Sequence, residues 1–209
     1  MVQTAFKPSA PAIITTHRAA LVARLRDALA DQGRETSDFE LNPSLRPKAA
    51  QLRDAGVLIA ITPAEEVILT KRSSHLKHHP GQIALPGGKM DPTDAGPIAA
   101  ALREAEEEVA LPRSSAEVLG TMPIHATVTN FAITPVVALV AEFTPVAEAG
   151  EVAEVFRVPL AHLTDPDKYS VQSRISQGQI RSYYAVPYGP YYIWGATARI
   201  LRALAARLA

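Results

Sequence analysis

The sequence of 209 residues contains no cysteine. This absence excludes disulfides, cysteine-ligated zinc, iron–sulfur clusters and thiolate catalysis, and it leaves the redox compartment open. The chain also lacks an excess of charge of either sign, because 21 Lys and Arg residues balance 21 Asp and Glu residues. We therefore expect no nucleic-acid partner that is held by overall positive charge.

Long hydrophobic runs are absent as well. Runs such as Val136–Ala141 are far shorter than the roughly 18 apolar residues that a membrane-spanning helix needs. The N-terminus shows no basic segment followed by an apolar stretch and a cleavage site, so we predict no signal peptide. These features predict a cytoplasmic protein without a membrane partner. They leave open whether it is a monomer or a homodimer.

The composition is that of a folded domain, with 47% hydrophobic and 20% charged residues. Residues 1–12 are small, polar or proline and predict a loose lead-in. Leu21, Leu25 and Leu29 then recur at helical spacing, which predicts an amphipathic helix that ends at Gly33.

The rest of the chain mixes strands and helices. Two strand-like runs, Gly56–Ile61 and Val67–Leu69, are separated by a short polar segment and predict a hairpin. Further predicted strands are Ile83–Leu85, Glu117–Val128, Phe131–Phe143, one beginning near Glu151, and a polar hairpin within Tyr169–Val186. Helices are predicted at Pro97–Leu111 and Tyr191–Leu208. This alternation indicates an α/β or α+β class.

The most informative segment is the predicted helix Pro97–Leu111. Glu104, Glu107 and Glu108 share one flank, in the half of the helix where the dipole disfavours negative charge. A solvated acidic face is one interpretation. We favour a bound cation with oxygen ligands, because it removes the repulsion among three carboxylates.

Two adjacent glycines, Gly87 and Gly88, precede this helix and let the backbone turn sharply beside the carboxylates. The combined pattern resembles the signature of the Nudix hydrolases, which runs from a glycine to an Arg-Glu-x-x-Glu-Glu helix. The matching positions are Gly88, Arg103, Glu104, Glu107, Glu108 and Leu111. The resemblance implies an α/β fold, an α/β/α sandwich with a mixed β-sheet.

The chain departs from the family pattern at two points. The interval from Gly88 to Arg103 is one residue longer than usual, and Asp94 stands roughly where an acidic residue is expected. Ala110 replaces the customary glycine after the helix. Because alanine continues a helix readily, we expect that the helix can extend past this position.

A second resemblance concerns the substrate. Leu69–Ser73, Lys77, Gly81 and Leu85–Gly88 are similar to an additional signature of the Nudix enzymes that cleave coenzyme A. This implies hydrolysis of coenzyme A or its derivatives to adenosine 3′,5′-bisphosphate and 4′-phosphopantetheine. The alternatives are ADP-ribose, a dinucleotide or a nucleoside triphosphate as substrate, or a Nudix-like ligand-sensing module without catalysis.

The family resemblance also assigns roles to individual residues. It implies Mg²⁺ or Mn²⁺ held by Glu104, Glu107 and Glu108, with the Gly88 carbonyl completing the shell. Glu104 or a downstream acid would be the general base. Arg103 would orient or balance a carboxylate, and its alternative role is an exposed ion pair with Glu107.

The sequence does not identify the downstream acid. Glu148, Glu151 and Glu154 are all candidates for an additional acid on a loop. Each has the alternative of being ordinary surface charge.

A basic segment precedes the two glycines. We expect Lys71, Arg72, Lys77 and Gly87 to bind substrate, with the basic side chains contacting a 3′-phosphate on the adenosine moiety. This segment also contains histidines, which leave two alternatives to phosphate binding. The first is a solvated loop. The second, ranked last, is a zinc site, because the spacing lacks the helical zinc motif.

Aromatic residues gather near the C-terminus and could stack on adenine or line a pantetheine channel. They are Tyr183, Tyr184, Tyr188, Tyr191, Tyr192 and Trp194. For Trp194 we expect a place in the core, as is common for aromatics beside a terminal helix. The predicted organisation is an N-terminal extension with one helix over residues 1–45 and a Nudix hydrolase domain over 46–209.

Overall fold

The computed structural model describes residues 10–31, 33–46, 52–176 and 178–209. Its helices are α1 (Ala10–Ala30), α2 (Pro97–Val109), α3 (Leu160–Leu163) and α4 (Ala196–Leu208). Its strands are β1 (Thr36–Ser37), β2 (Arg53–Ile61), β3 (Glu66–Arg72), β4 (Ile83–Ala84), β5 (Gly87–Lys89), β6 (Ala116–Thr121), β7 (His125–Ala126), β8 (Phe131–Val140), β9 (Val152–Pro159), β10 (Ser170–Ser176) and β11 (Gln179–Ala185). No helix in these ranges is both long and apolar enough to cross a bilayer.

The main sheet is mixed. Its path is β1-β7-β8-β2-β3-β4, with β5 on β2, β6 on β8 and β9 on β3. The parallel pair β2–β8 runs in unbroken register from Arg53↔Phe131 to Ile61↔Leu139. Most of the other pairs are antiparallel, and β10–β11 forms a separate two-stranded sheet. The predicted α/β class with a mixed sheet is confirmed.

Helices cover both faces of the sheet because side chains alternate along its central strand. Leu58 and Ala60 of β2 pack with the apolar stripe of α2, which includes Ala101, Ala105 and Val109. Ile59 and Ile61 pack on the opposite face in a second core. That core holds Leu21, Leu25 and Leu29 of α1 and Leu201 and Leu204 of α4. The result is the three-layer arrangement that the resemblance implied.

Several boundaries differ from the sequence-based expectations. Residues 10–12, expected in the lead-in, are already helical, and residues 1–9 lie outside the described ranges. Helix α4 begins at Ala196, not at Tyr191, because Gly195 before it has a φ of 66°. Strands β2 and β3 do form a hairpin, but they pair only at Ile61↔Val67, and the long partner of β3 is β9.

The end of α2 is also different from the expectation. The helix does not continue past Ala110, which adopts the left-handed conformation with φ 57° and ψ 34°. Its N–H donates to the Ala105 and Glu106 carbonyls, which closes the last turn. The helix stops because Leu111 turns into the core, where it is 1% exposed. Tertiary packing therefore overrides the preference of alanine for helix.

Candidate active site

Helix α2 brings its acidic flank onto the backbone of β5. A Cβ atom on Gly88 would overlap the carboxyl group of Glu104, so only glycine lets this side chain lie across the strand. Burial raises the pKa of Glu104, against the opposing effect of Arg103. The first of the predicted ligands thus lies directly against the predicted glycine.

Glu108 lies deeper than Glu104. Its side chain is 6% exposed, and its Oε2 accepts a hydrogen bond of 3.2 Å from the Gly87 N–H. The nearest cation is Arg72, whose Nη1 is 4.0 Å from Glu108 Oε1. Burial raises the pKa of Glu108 to about 7. Because the negative charge of this carboxylate is only weakly balanced, a further positive charge nearby would stabilise it.

Arg103 donates hydrogen bonds to three neighbouring acidic side chains. Its guanidinium donates to Asp94 at 3.0 and 3.2 Å, to Glu104 at 2.9 Å and to Glu107 at 3.1 Å. It also donates to the Lys89 carbonyl at 3.2 Å. The hydrogen bond from Arg103 lowers the pKa of Asp94, and the pKa of Arg103 itself is raised by that same partner. Arg103, which is 15% exposed, thus contacts both Glu104 and Glu107, and its role in orienting or balancing a carboxylate stays a prediction.

The acids of α2 are therefore not equivalent. Glu107 is 57% exposed and contacts Arg103, while Glu106 forms an ion pair of 2.6 Å with Arg113 on the outer side. Glu104 and Glu108 face the β5 backbone, and burial is the largest cause that raises the pKa of each. The charge of Glu104 adds to the rise at Glu108, and the charge of Glu107 adds to the rise at Glu104.

The three downstream acids, two in the loop before β9 and one in β9 itself, have different surroundings. Glu148 accepts hydrogen bonds from the N–H groups of Gly150 and Glu151, and Glu154 accepts one of 2.5 Å from the Tyr191 hydroxyl. Both carboxylates are thus engaged elsewhere. Glu151 remains, and its charge adds to the effect of burial in raising the pKa of Glu104 and of Glu108. Of the three, Glu151 is the one that acts electrostatically on the cluster.

A cavity of about 710 Å³ opens beside this cluster. Its wall carries five arginines from distant parts of the chain: Arg53, Arg72, Arg174, Arg181 and Arg199. Arg72 lies at the junction, since it lines the cavity and also approaches Glu108. Its buried Nε has no hydrogen-bond partner among the described residues.

The other predicted substrate residues are placed less centrally. Lys71 and Lys77 are exposed and are not part of the cavity wall. Lys71 is exposed near the end of β3, directly after four consecutive buried residues, Val67–Thr70. His78 and His79 do line the cavity.

Comparison with known proteins is consistent with this geometry. Residues 52–177 match the NUDIX domain family. The uncharacterized Nudix hydrolase NudL of Escherichia coli strain K12 is 42% identical over 171 residues, which cover 80% of this chain and 89% of that protein. The chain belongs to the Nudix hydrolase family.

Two solved structures illustrate what the chain is similar to in fold. The MutT protein from Methanosarcina mazei Go1 is 19% identical, with a TM-score of 0.46 over 56% of this chain and 83% of its own. The Nudix hydrolase RenU from M. smegmatis is 27% identical, with a TM-score of 0.45 over 56% of this chain and 82% of its own.

Membership makes the protein a hydrolase of pyrophosphate bonds in small nucleoside diphosphate compounds, a family chemistry that generally requires divalent cations. In the described part of the chain, no three His, Asp or Glu side chains are already grouped as a metal-binding cluster. The donor set still fits a hard cation, because Glu104 and Glu108 offer carboxylate oxygens beside the Gly88 backbone. Mg²⁺ needs only one or a few carboxylates and takes its other ligands from water and substrate.

The cavity wall of this Nudix hydrolase contains residues that sequence reasoning missed. Arg174 and Arg181 lie on the hairpin β10–β11, and Asp38 and Asn42 lie in the segment before β2. The expectation that Trp194 belongs to the core is wrong: it is half-buried, lines the cavity and stacks under Arg174. Its neighbour Gly195 breaks the helical pattern there, which is the signal that could have predicted an extended, cavity-facing segment.

Proposed function

We propose that this Nudix hydrolase cleaves the diphosphate bond of coenzyme A or its derivatives with Mg²⁺ or Mn²⁺, giving adenosine 3′,5′-bisphosphate and 4′-phosphopantetheine. The observation that carries the proposal is the arginine-lined cavity, whose wall includes Arg72, the residue that also approaches Glu108 at 4.0 Å. A diphosphate alone needs few cations, whereas coenzyme A carries a separate 3′-phosphate. The resemblance of Leu69–Ser73 and Leu85–Gly88 to the coenzyme A signature supports the same substrate.

The proposed metal ligands are Glu104, Glu108 and the Gly88 carbonyl, with Glu107 as a further ligand. Glu107 joins them by giving up its hydrogen bond to Arg103, which is possible because its side chain is largely exposed. A cation held by these residues would neutralise phosphate oxygens and would lower the pKa of the attacking water. Two carboxylates whose pKa values are raised by burial would be stabilised by such a charge more than exposed ones would.

Proton transfer falls to Glu104 in this proposal. Its carboxylate accepts a proton from water while the water oxygen forms a bond to one phosphorus. The bond from that phosphorus to the bridging oxygen breaks, and the electron pair leaves with the second phosphate. Arg103, which donates to Glu104 at 2.9 Å, holds the carboxylate in position. Glu151 is the alternative base, because it acts on the same cluster.

Because of its position, we assign Arg72 to the scissile diphosphate and not to the 3′-phosphate expected from the sequence. Its Nη1 approaches Glu108, and its Nε is buried without a partner among the residues described, which supports a contact between Arg72 and the scissile diphosphate. A 3′-phosphate would lie farther along the cavity. We therefore expect Arg72→Ala to reduce kcat/KM for coenzyme A and dephospho-coenzyme A alike.

The test is a product assay on coenzyme A, dephospho-coenzyme A, ADP-ribose, a dinucleotide and a nucleoside triphosphate, with Mg²⁺ or Mn²⁺ and with EDTA as control. We expect coenzyme A to have the highest kcat/KM, at least about tenfold above the dephospho form, since a hydrogen bond to a charged group contributes about 1.5–3 kcal/mol. A higher kcat/KM for ADP-ribose would contradict the coenzyme A assignment and leave the general diphosphatase. Absence of any hydrolysis would favour the ligand-sensing alternative.

A further inference from the structure

The hairpin β10–β11 places two arginines of like charge directly opposite each other. Arg174 and Arg181 are cross-strand partners in the antiparallel register, and both line the cavity. Like charges in this relation destabilise a hairpin. Within the described ranges, neither guanidinium has a carboxylate partner or a hydrogen bond. The hairpin thus carries an uncompensated double positive charge into a cavity.

An aromatic pair holds one of these arginines in place. The guanidinium of Arg174 lies 4.5 Å from the centre of the Trp194 ring, and Tyr183 packs against the same tryptophan at 4.8 Å. Stacking fixes the plane of a guanidinium while leaving its N–H donors free. Arg174 is therefore preorganised to donate to an oxyanion beside an aromatic surface.

The positive charge extends from this pair toward the acidic cluster. Burial lowers the pKa of His79, and the charges of Arg72 and, more weakly, Arg174 lower it further. His79 is thus within electrostatic reach of both arginines. Arg72 belongs to the end next to Glu108, and the pair Arg174–Arg181 belongs to the hairpin wall.

We propose that Arg174 and Arg181 form a subsite for a phosphate monoester that the substrate carries apart from its scissile diphosphate, with the adjoining base against Trp194 and Tyr183. This inference rests on the proposed function in one respect: it takes the substrate to be a nucleotide with an additional phosphate. It assigns the recognition of that phosphate to the hairpin and not to Lys71, Arg72 or Lys77.

The experiment measures binding without catalysis. Adenosine 3′,5′-bisphosphate and adenosine 5′-monophosphate are titrated into the EDTA-treated protein, followed by calorimetry and by the fluorescence of Trp194, the single tryptophan of the sequence. The bisphosphate should bind at least about tenfold more tightly and should change the fluorescence. Arg181→Ala should remove most of that ratio, because it deletes one donor without touching Trp194.

Matched variants separate the subsite from general effects. Arg26→Ala removes an equal charge from an exposed ion pair with Glu117 and should leave the ratio unchanged. Arg181→Lys keeps the charge and should retain part of the ratio. Equal weakening of both ligands by Arg181→Ala, or no weakening, would overturn the proposal. The melting temperature of Arg181→Ala should hold or rise, since it relieves like-charge repulsion.

The outcomes also separate this inference from the proposed function. If the wild type fails to hydrolyse coenzyme A but still prefers the bisphosphate through Arg181, the subsite stands and the proposed substrate is wrong. If coenzyme A is hydrolysed and Arg181→Ala changes kcat/KM equally for coenzyme A and its dephospho form, the function stands and the subsite is wrong.

Discussion

Two neighbouring parts of the candidate site differ in how the sequence encodes them. They are the acidic cluster, called the acidic wall below, and the arginine-bearing lining of the cavity, called the basic wall. The acidic wall comes from a contiguous stretch of chain, from Gly88 to Glu108. The basic wall is assembled from remote segments, so that Asn42 bonds Ser182 across 140 positions and Glu40 bonds Arg199 across 159. Local spacing therefore encodes the acids that we propose act on the bond, whereas tertiary pairing creates the surface that we propose selects the substrate.

The strongest test of the acidic wall is Glu108→Gln. The amide keeps the shape of the side chain and its acceptor for the Gly87 N–H, but it removes the charge that a cation requires. We expect kcat to fall about a thousandfold, which corresponds to about 4 kcal/mol of transition-state stabilisation. The fold should persist, because one buried charge has been removed.

Glu106→Gln is the matched control on the same helix. The Glu106 side chain makes an exposed ion pair with Arg113, away from β5. The kcat of Glu106→Gln should therefore stay within about twofold of the wild type. Full activity of Glu108→Gln, or its unfolding, would show that Glu108 is structural. Steady-state kinetics and circular dichroism on both variants decide the point.

A second test uses the pH dependence of stability. Because burial raises the pKa of Glu108 from 4.5 in its ordinary state to about 7, the folded state holds this proton more tightly than the unfolded state does. The free energy of unfolding should therefore fall as pH rises from about 4.5 to about 7. At about 1.36 kcal/mol per pKa unit, the loss amounts to about 3 kcal/mol.

Urea denaturation in EDTA, at several values of pH between 5 and 8, measures this effect. The difference in unfolding free energy between wild type and Glu108→Gln isolates the contribution of Glu108, because the other titrating groups are common to both proteins. The wild type should lose stability relative to the variant as pH rises. A difference that does not change with pH would mean that Glu108 has an ordinary pKa.

The basic wall is tested at Asn42, which ties the N-terminal segment to the hairpin. Its Nδ2 donates to the Asp38 and Ser182 carbonyls, and its Oδ1 accepts from the Ser182 N–H, all within 2.8–2.9 Å. Asn42→Ala leaves these groups unpaired and should cost about 2 kcal/mol of unfolding free energy. Ser173→Ala removes only an exposed hydroxyl contact with Ser182 and should cost less than about 0.5 kcal/mol.

Ligand binding should also differ between Asn42→Ala and Ser173→Ala. Asn42→Ala should weaken the binding of adenosine 3′,5′-bisphosphate more than that of the 5′-monophosphate, because the hairpin carries Arg174 and Arg181. Ser173→Ala should leave both unchanged. Equal stability of the two variants would mean that the hairpin does not depend on Asn42.

The role of Glu104 and Glu108 as metal ligands stays a prediction. The sequence predicted their position beside the glycine backbone, because helical periodicity and adjacent glycines are local features. It failed for the basic wall for two physical reasons. Burial on both sides of β3 ends after Thr70, so that Lys71 is exposed while the next residue, Arg72, lines the cavity. Trp194 faces the cavity because the chain enters α4 from an extended segment, and no local pattern shows what an extended segment will pack against.

The same limit applies to the proposed division at residue 45. The leucines of α1, in the predicted extension, pack in one core with Leu201 and Leu204 of α4. Amphipathic spacing predicted that α1 has an apolar face, but it could not identify the surface that this face covers. The boundary between 45 and 46 stays a prediction that limited proteolysis can address.

The smallest expected effect concerns the end of the acidic helix, where local preference and tertiary structure disagree. Ala110 is exposed and holds a left-handed conformation, so its methyl group gains no packing and strains the backbone. Ala110→Gly should raise the free energy of unfolding by about 0.5–1 kcal/mol, after allowing for the greater entropy of glycine in the unfolded chain. Ala99→Gly, within the helix, should lower it by about 0.5–1 kcal/mol. Thermal denaturation should show shifts of opposite sign, of about 1–4 °C. Shifts of the same sign would mean that α2 extends past Val109 in solution, and the kcat of Ala110→Gly should equal that of the wild type because no proposed ligand moves.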